Sequence, residues 1–264
     1  MGQARSGSGS PRLAVFFYLQ NIPPLFPIIA GFPHTLLLGH FWSLAVEEQF
    51  YLIWPILLWA TRKSAARARW CCLLVWTLSL IFRFAVFGRG LNPDWSYSAL
   101  PGRAGELAMG GYLALAMRDR SVKAALLRHV QWIFPASAVA MIGVMICAGN
   151  VESETFPMVT LGLGINAVLF ASLVALCLRQ GFVASFFSAK WLRWLGKISY
   201  GIYVYHVLFK NQFDKFVSFA FPSLDRNAHL LVLAGVGAIG TLAIASLSFY
   251  GFETKFLRLK NRIA

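Results

Sequence analysis

The chain has 264 residues, of which 58% are hydrophobic and 13% are charged, and its mean hydropathy is +0.63. Soluble domains are on average about one quarter charged, so this composition excludes an ordinary soluble enzyme and indicates an integral membrane protein. The net charge of +14 does not indicate nucleic-acid binding, because the basic residues form short clusters between apolar runs rather than a patch interleaved with aromatic side chains.

The N-terminal residues 1–11 are rich in Gly and Ser and predict a flexible segment ahead of a membrane domain over residues 12–260. A weak apolar segment at about 12–32 is interrupted by Asn21 and by prolines, so we expect a kinked or short helix there. Seven further segments reach the length of about 20 residues that a spanning helix needs. They are roughly 42–60, 69–87, 98–118, 130–149, 157–178, 197–220 and 228–250. The sequence therefore predicts an all-α fold, a multi-pass transmembrane bundle of about seven to eight helices.

Basic residues are concentrated in alternate connections between these segments. The clusters lie at 61–70, 118–129 and 179–197 and in the C-terminal tail, and the other connections hold most of the acidic residues. Loops rich in Lys and Arg stay on the cytoplasmic side of a membrane. We therefore expect a multi-pass protein of the inner (plasma) membrane with a cytoplasmic C-terminus. The four cysteines lie inside apolar runs without metal-ligand spacing, and no metal site is predicted.

Two adjacent carboxylates, Glu47 and Glu48, lie in the first strong helix. A carboxylate at the centre of a bilayer costs roughly 2.5–3.5 kcal/mol on insertion scales, so it indicates a functional site. Glu47 shares a helix face with Ser43 and Tyr51, whereas Glu48 points about 100° away. The alternative is that these acids lie at the membrane interface or form a structural pair with an arginine.

The third predicted helix carries a cation and a carboxylate on one face, Arg103 and Glu106, at a depth similar to that of Glu47. A guanidinium fork suits a carboxylate, so we expect Arg103 to pair with Glu47, either at a functional site or as a purely structural contact.

The sixth helix carries a polar stripe in which Ser199, Tyr203, His206 and Lys210 fall at i, i+4, i+7 and i+11. His206 is expected near the middle of the membrane. Its two interpretations are a hydrogen-bonded structural histidine and a functional one.

These segments together resemble the membrane acyltransferase-3 family, the bacterial O-acyltransferases of envelope carbohydrates. The resemblance is strongest at residues 40–52, continues at 102–111 and 195–206 and at Glu253, and covers about residues 12–260. It implies a bundle of transmembrane helices, usually more than this chain has.

The resemblance also implies a reaction. An acyl group, commonly acetyl, is transferred from acyl-CoA (acetyl-CoA) as donor substrate to a hydroxyl of a polysaccharide, lipopolysaccharide or lipid-linked glycan, and no bound cofactor is implied. The first helix of the family carries an Arg followed by a His that is its favoured base. Nothing before Phe41 matches that helix, so the sequence is expected to lack the N-terminal helices of the family.

The resemblance assigns roles to residues in the matching motifs. The catalytic candidates are Glu47, which orients the base or holds the sugar, Arg103, which stabilises a carboxylate or the oxyanion, and His206, the intramembrane histidine that remains as a base. The candidates for substrate binding are Trp42, Ser43, Glu48, Glu106, Ser199, Tyr200 and Tyr203.

Two other functions stay open from the sequence. One is a transporter or flippase of a glycan or anionic substrate, since intramembrane Glu, Arg and His also suit proton relays. The other is an inactive truncated remnant of an acyltransferase. The partners expected for the acyltransferase are acyl-CoA, a carbohydrate or lipid-linked glycan acceptor and the lipid bilayer, with no nucleic acid.

Overall fold

A computed structural model describes residues 18–19, 21–22, 41–149 and 155–263, and nearly all of these residues are helical. No strand occurs in these ranges, which confirms the all-α prediction for the part of the chain described. The predicted flexible segment 1–11 and nearly all of the weak segment 12–32 lie outside the described residues. The chain divides into two compact units between Ala184 and Ser185.

The helices are numbered here in chain order. In the first unit they are α1 (Trp42–Thr61), α2 (Ala65–Gly88), α3 (Asp94–Ser98), α4 (Leu100–Arg118), α5 (Arg120–Ala148) and α6 (Leu163–Leu178), with a π-helical segment Met158–Gly162 directly before α6. A short helix α7 (Phe182–Phe187) extends across the division between the units. The second unit contains α8 (Lys190–Leu208), α9 (Lys210–Ala220), α10 (Arg226–Ser248), a π-helical segment Phe249–Glu253 and α11 (Thr254–Ile263).

Four helical stretches in the described ranges are long and apolar enough to cross a membrane: Ala65–Gly88, Arg120–Ala148, Met158–Leu178 and Arg226–Leu259. The predicted number of seven to eight spans is therefore not confirmed. Helices α1, α4 and α8 begin near the predicted positions but carry the polar and charged side chains of the candidate site, and these side chains lower their hydropathy.

The connection predicted at 118–129 is wrong, because α5 already begins at Arg120. Asp119 caps this helix by accepting hydrogen bonds from the Ser121 hydroxyl at 2.7 Å and from the backbone N–H groups of Ser121 and Val122. The Ser121 hydroxyl is the main reason why the pKa of Asp119 lies below its usual value. The stabilisation by this ionised cap is thus present near neutral pH and is lost as the pH falls through the lowered pKa.

The predicted span 197–220 is also divided, since α8 ends at Leu208 and α9 begins at Lys210. Phe209 between them has φ −101° and ψ 3°, outside the helical region. Its ring lies 6.0 Å from the ring of Tyr205 and 6.2 Å from that of Phe213, so aromatic contacts support the break.

The most extensive helix pair of the first unit is formed by α2 and α4. Two glycines of α4 permit the close packing around it. A Cβ atom at Gly105 would lie 3.0 Å from Cβ of Ser79 and 3.2 Å from Cα of Trp76 on α2. A Cβ atom at Gly102 would overlap the backbone carbonyl of Ser96 on α3. Small residues bring membrane helices together in this way.

We predict that Gly102→Ala destabilises the protein by about 1–3 kcal/mol or more, because the added methyl group meets backbone that cannot move aside easily. The matched control is Gly110→Ala on the same helix, where nothing lies within 4 Å of the added atom. Thermal unfolding in detergent measures both variants. Equal melting temperatures for the two would contradict the close approach of α3 to α4.

Candidate active site

A fully buried arginine, Arg83 of α2, is the centre of the polar cluster in the first unit. Its Nη1 lies 2.7 Å from Oε1 of Glu106 on α4 and also donates to the backbone carbonyl of Gly102 at 3.1 Å. One side chain therefore joins α2 to both the side chain and the backbone of α4. Such charge-assisted hydrogen bonds are roughly twice as strong as neutral ones.

Glu106 is shared between two arginines. Its Oε2 lies 3.4 Å from Nε of Arg103, one turn earlier on α4. The guanidinium of Arg103 also lies 5.6 Å from the ring centre of Trp42 and 5.5 Å from that of Tyr97. Both distances are within the range of a cation–π interaction. The two rings are 5.1 Å apart, so α1, α3 and α4 all meet at Arg103.

The predicted ion pair between Arg103 and Glu47 is not formed, because Arg103 pairs with Glu106 instead. Glu47 nevertheless lies at the same cavity as Arg103 and Glu106. It lines a cavity of about 90 Å³ with Trp42, Ser43, Arg103 and Glu106. The structure thus brings together five of the residues that the sequence proposed. Glu48 does not line this cavity, as the helical phase of α1 predicts.

Several buried polar atoms of this cluster make no hydrogen bond within the described part of the chain. They are Nε and Nη2 of Arg83, Oγ of Ser96, Nη1 of Arg103 and Oε2 of Glu106. Buried polar groups are nearly always hydrogen-bonded in proteins, so each exception calls for an explanation such as a catalytic role or a bound ion. The cluster therefore offers donors and an acceptor to a ligand.

A larger groove of about 650 Å³ begins at Arg103 and Glu106 and continues between α4 and α6. Beyond these two residues its lining is mainly apolar, as at Leu113, Ala114, Met117, Phe170, Val174 and Leu178. From Arg103 to Met117, the lining of α4 extends about 21 Å at 1.5 Å per residue. An apolar groove with convergent polar groups at one end is the usual form of a ligand site.

The start of α6 covers Arg83. A Cβ atom at Gly164 would lie 3.4 Å from Nη2 of Arg83, and the indole N–H of Trp76 donates to the Gly164 carbonyl at 3.3 Å. The π-helical segment Met158–Gly162 directly precedes this point. Such π-helical turns occur frequently at functional sites.

A pair of side-chain amides fixes the N-terminal half of α1 near this cluster. The side chains of Asn21 and Gln49 exchange two hydrogen bonds of 3.0 and 2.8 Å. The backbone carbonyl of Asn21 also accepts a hydrogen bond from the Ser98 hydroxyl at 3.2 Å. Asn21 is buried, so α1 and α3 are joined through one residue that precedes both helices.

The other proposed site residues, Ser199, Tyr200, Tyr203 and His206, lie on α8 in the second unit. Nδ1 of His206 lies 3.1 Å from the carbonyl of Ile202, an acceptor, so this nitrogen carries the proton. The His206 ring is 5.9 Å from the ring of Tyr203. His206 is thus held by a hydrogen bond within its own helix and is exposed, and its predicted depth in the membrane stays a prediction.

A chain of hydrogen bonds in the second unit includes Glu253, the last residue of the sequence motifs. The Tyr205 hydroxyl donates to Oγ of Ser248 at 2.9 Å, and Ser248 donates to Oε1 of Glu253 at 3.2 Å. Glu253 ends a π-helical segment. The described contact of Glu253 is therefore the end of a chain of two hydroxyl groups.

Arg83, Ser96 and Tyr97 were not among the predicted site residues. Arg83 had a usable signal, since it is a charge in the middle of an apolar run, and intramembrane ionisable residues indicate functional sites by default. Ser96 and Tyr97 lie on the short helix α3, for which the sequence offers no comparable signal.

The family model of the acyltransferase domain, Acyl_transf_3, matches residues 11–250. The chain belongs to this acyltransferase family. Residues 40–52, 102–111 and 195–206, on which the resemblance was based, lie within the match, and Glu253 lies just beyond it.

Relatives of the chain carry names that agree with this family. The peptidoglycan O-acetyltransferase OatA of Listeria monocytogenes is 28% identical over 250 residues, which are 92% of this chain and 39% of that protein. The putative peptidoglycan O-acetyltransferase YrhL of Bacillus subtilis is 30% identical over 177 residues, 64% of this chain and 28% of that protein. The chain thus spans less than two fifths of these relatives' lengths. No solved structure matches it.

We predict that Arg83→Met costs about 3–5 kcal/mol of unfolding free energy, because it leaves the Glu106 carboxylate buried without its shorter ion pair. The double variant Arg83→Met/Glu106→Gln is expected to cost clearly less than the sum of the single variants. The control is Arg89→Met at the exposed end of α2, which should change stability by less than about 0.5 kcal/mol. Additive effects of the two substitutions would refute a direct coupling between Arg83 and Glu106.

Proposed function

We propose that the chain is the membrane-embedded part of an enzyme that transfers an acetyl group from acyl-CoA to a hydroxyl of a cell-envelope carbohydrate. The observation that carries this proposal is the cluster of Arg83, Arg103 and Glu106, in which Arg103, with its unpartnered Nη1, lines one cavity with Glu47. Membership of the acyltransferase family supports the reaction class. The names of the relatives favour peptidoglycan as the acceptor rather than lipopolysaccharide.

Acyl transfer from a thioester needs two functions that this cluster supplies. The carbonyl oxygen gains negative charge as the acceptor hydroxyl attacks, and hydrogen-bond donors stabilise that charge. The buried and unpartnered Nη1 of Arg103 is such a donor. The ion pair with Glu106 and the rings of Trp42 and Tyr97 hold the guanidinium in one orientation before the reaction.

The attacking hydroxyl also has to lose a proton to a base. Glu47 lines the cavity beside Arg103 and makes no hydrogen bond or ion pair with a described residue. Its carboxylate is therefore free either to hold the acceptor sugar or to orient a histidine base. The resemblance places that histidine on a preceding helix. His206 of α8, in the second unit, stays a separate candidate base. When the tetrahedral intermediate collapses, the thiolate of CoA leaves and takes up a proton.

We further propose that the donor reaches this cluster through the groove between α4 and α6. The groove is lined mainly by apolar side chains and ends at Arg103 and Glu106. Its extent of about 21 Å along α4 suits an extended chain that carries its reactive group at the tip. The polar stripe of α8, with Ser199, Tyr203 and His206, is the other candidate for the donor path.

The proposal predicts that Glu47→Gln lowers transfer of radiolabelled acetyl from acetyl-CoA in membranes by about 100-fold, since the neutral amide cannot orient a base or accept the same hydrogen bonds. The control is Asp94→Asn, which removes an exposed carboxylate from α3 in the same unit and should leave the rate unchanged. Full transfer by Glu47→Gln would remove Glu47 from the mechanism.

A further inference from the structure

The second unit contains a cavity that the proposed acyl transfer at the Arg83 cluster does not use. Its volume is about 400 Å³, and it lies between α8, α9 and α10. This volume falls within the range of about 300–1,000 Å³ that is typical of ligand sites. Most of the lining is apolar: Ile202, Phe213, Leu233, Ala234, Gly237 and Ala238.

The cavity exists because one face of α10 carries small side chains. Ala234, Gly237, Ala238 and Thr241 fall at i, i+3, i+4 and i+7 on that face, and all four line the cavity. On the α9 side, the cavity is lined by the ring of Phe213. This ring packs against Gly240 of α10, in the space that a larger side chain would occupy. Helix α10 belongs to a stretch that is long and apolar enough to span a membrane.

A buried hydroxyl lines this apolar cavity. Thr241 is only 4% exposed, and its hydroxyl makes no hydrogen bond with any described residue. Threonine in a membrane helix usually donates to the carbonyl four residues earlier, as Ser246 does to Leu242 at 2.6 Å. The Thr241 hydroxyl is thus a donor available to a ligand.

The ionisable side chains that line the cavity are His206 and Lys210, and no carboxylate lines it. Lys210 lines it one helical turn after His206, and no ion pair joins Lys210 to a described residue. Helices α8 and α10 contain no Asp or Glu, and Asp214, the acid of α9, lies 3.0 Å from His229. Lys210 is exposed at the edge of the cavity, so its ammonium is accessible to an anionic head group.

We propose that this cavity binds an anionic phospholipid. One acyl chain lies along the small residues of α10, the phosphate lies at the Lys210 ammonium, and the Thr241 hydroxyl donates to an ester oxygen. Because the lining is mainly apolar, it favours an amphiphile over a free anion. The Lys210 ammonium favours an anionic head group. This site contains none of the residues around Arg83, and it shares His206 with the alternative donor path along α8.

The test uses the full chain in mixed phosphatidylglycerol and phosphatidylcholine vesicles, with a diazirine-labelled acyl chain on one lipid at a time. After illumination, mass spectrometry locates the cross-links. Labelled phosphatidylglycerol should mark the α10 peptide that contains Thr241 about five times more than labelled phosphatidylcholine does, since one lysine favours anionic lipid by about that factor. Filling the cavity with Ala238→Phe should abolish this labelling by both lipids.

Lysine variants test the selection of the head group. Lys210→Gln should equalise labelling by the two lipids, whereas Lys210→Arg should retain the preference for phosphatidylglycerol. Lys215→Gln, an exposed position of α9 outside the cavity, is the matched control and should also retain it. The proposal is overturned if the unchanged chain shows equal labelling by both lipids, or if Lys210→Gln leaves the ratio as it was.

Discussion

The ion pair between Arg83 and Glu106 is the constraint on which the first unit depends. Removing two charges from water costs several kcal/mol for each ion, even after the protein relaxes around them. A pair 2.7 Å apart with a fully buried arginine recovers much of that cost only if the helices that carry it are held in one register. The close approach of α2 and α4 at Gly105 provides that register.

The ion pair between Arg83 and Glu106 also determines the orientation of Arg103 beside the cavity that Glu47 lines. Arg83 occupies one oxygen of Glu106, so Arg103 contacts the other oxygen and is directed toward Trp42 and Tyr97. This arrangement leaves Nη1 of Arg103 without a partner beside the cavity that Glu47 lines. A donor held in place by its neighbours needs no reorganisation when charge develops on a substrate, and such preorganisation is the main source of electrostatic catalysis.

Much of this arrangement could be predicted from the sequence. Apolar run length predicted the helices, and helical phase placed Arg103 and Glu106 on one face at a depth similar to that of Glu47. The partner of Arg103 could not be predicted this way, because it depends on which helix packs against α4. Once α2 brings Arg83 to Glu106, that carboxylate lies between two cations, and the expected contact between Arg103 and Glu47 is not made.

Hydropathy does not identify as membrane spans the helices that carry the site residues. Helices α1 and α4 were predicted as spans, yet their site residues lower their apolar character, so length and composition no longer identify them. The break at Phe209 has no proline or glycine beside it and arises from tertiary aromatic contacts that no local pattern indicates. The cap at Asp119 did have a signal, since Asp followed by Ser121 is a typical helix start.

Cryo-electron microscopy of the chain in nanodiscs with acetonyl-CoA, a non-hydrolysable thioether that keeps the acetyl carbonyl, would show where an acyl donor binds. We expect the analogue in the groove between α4 and α6, with its carbonyl oxygen about 3 Å from Nη1 of Arg103. An analogue whose acyl end lies along α8, with the groove and the Arg83 cluster unchanged, would contradict this expectation.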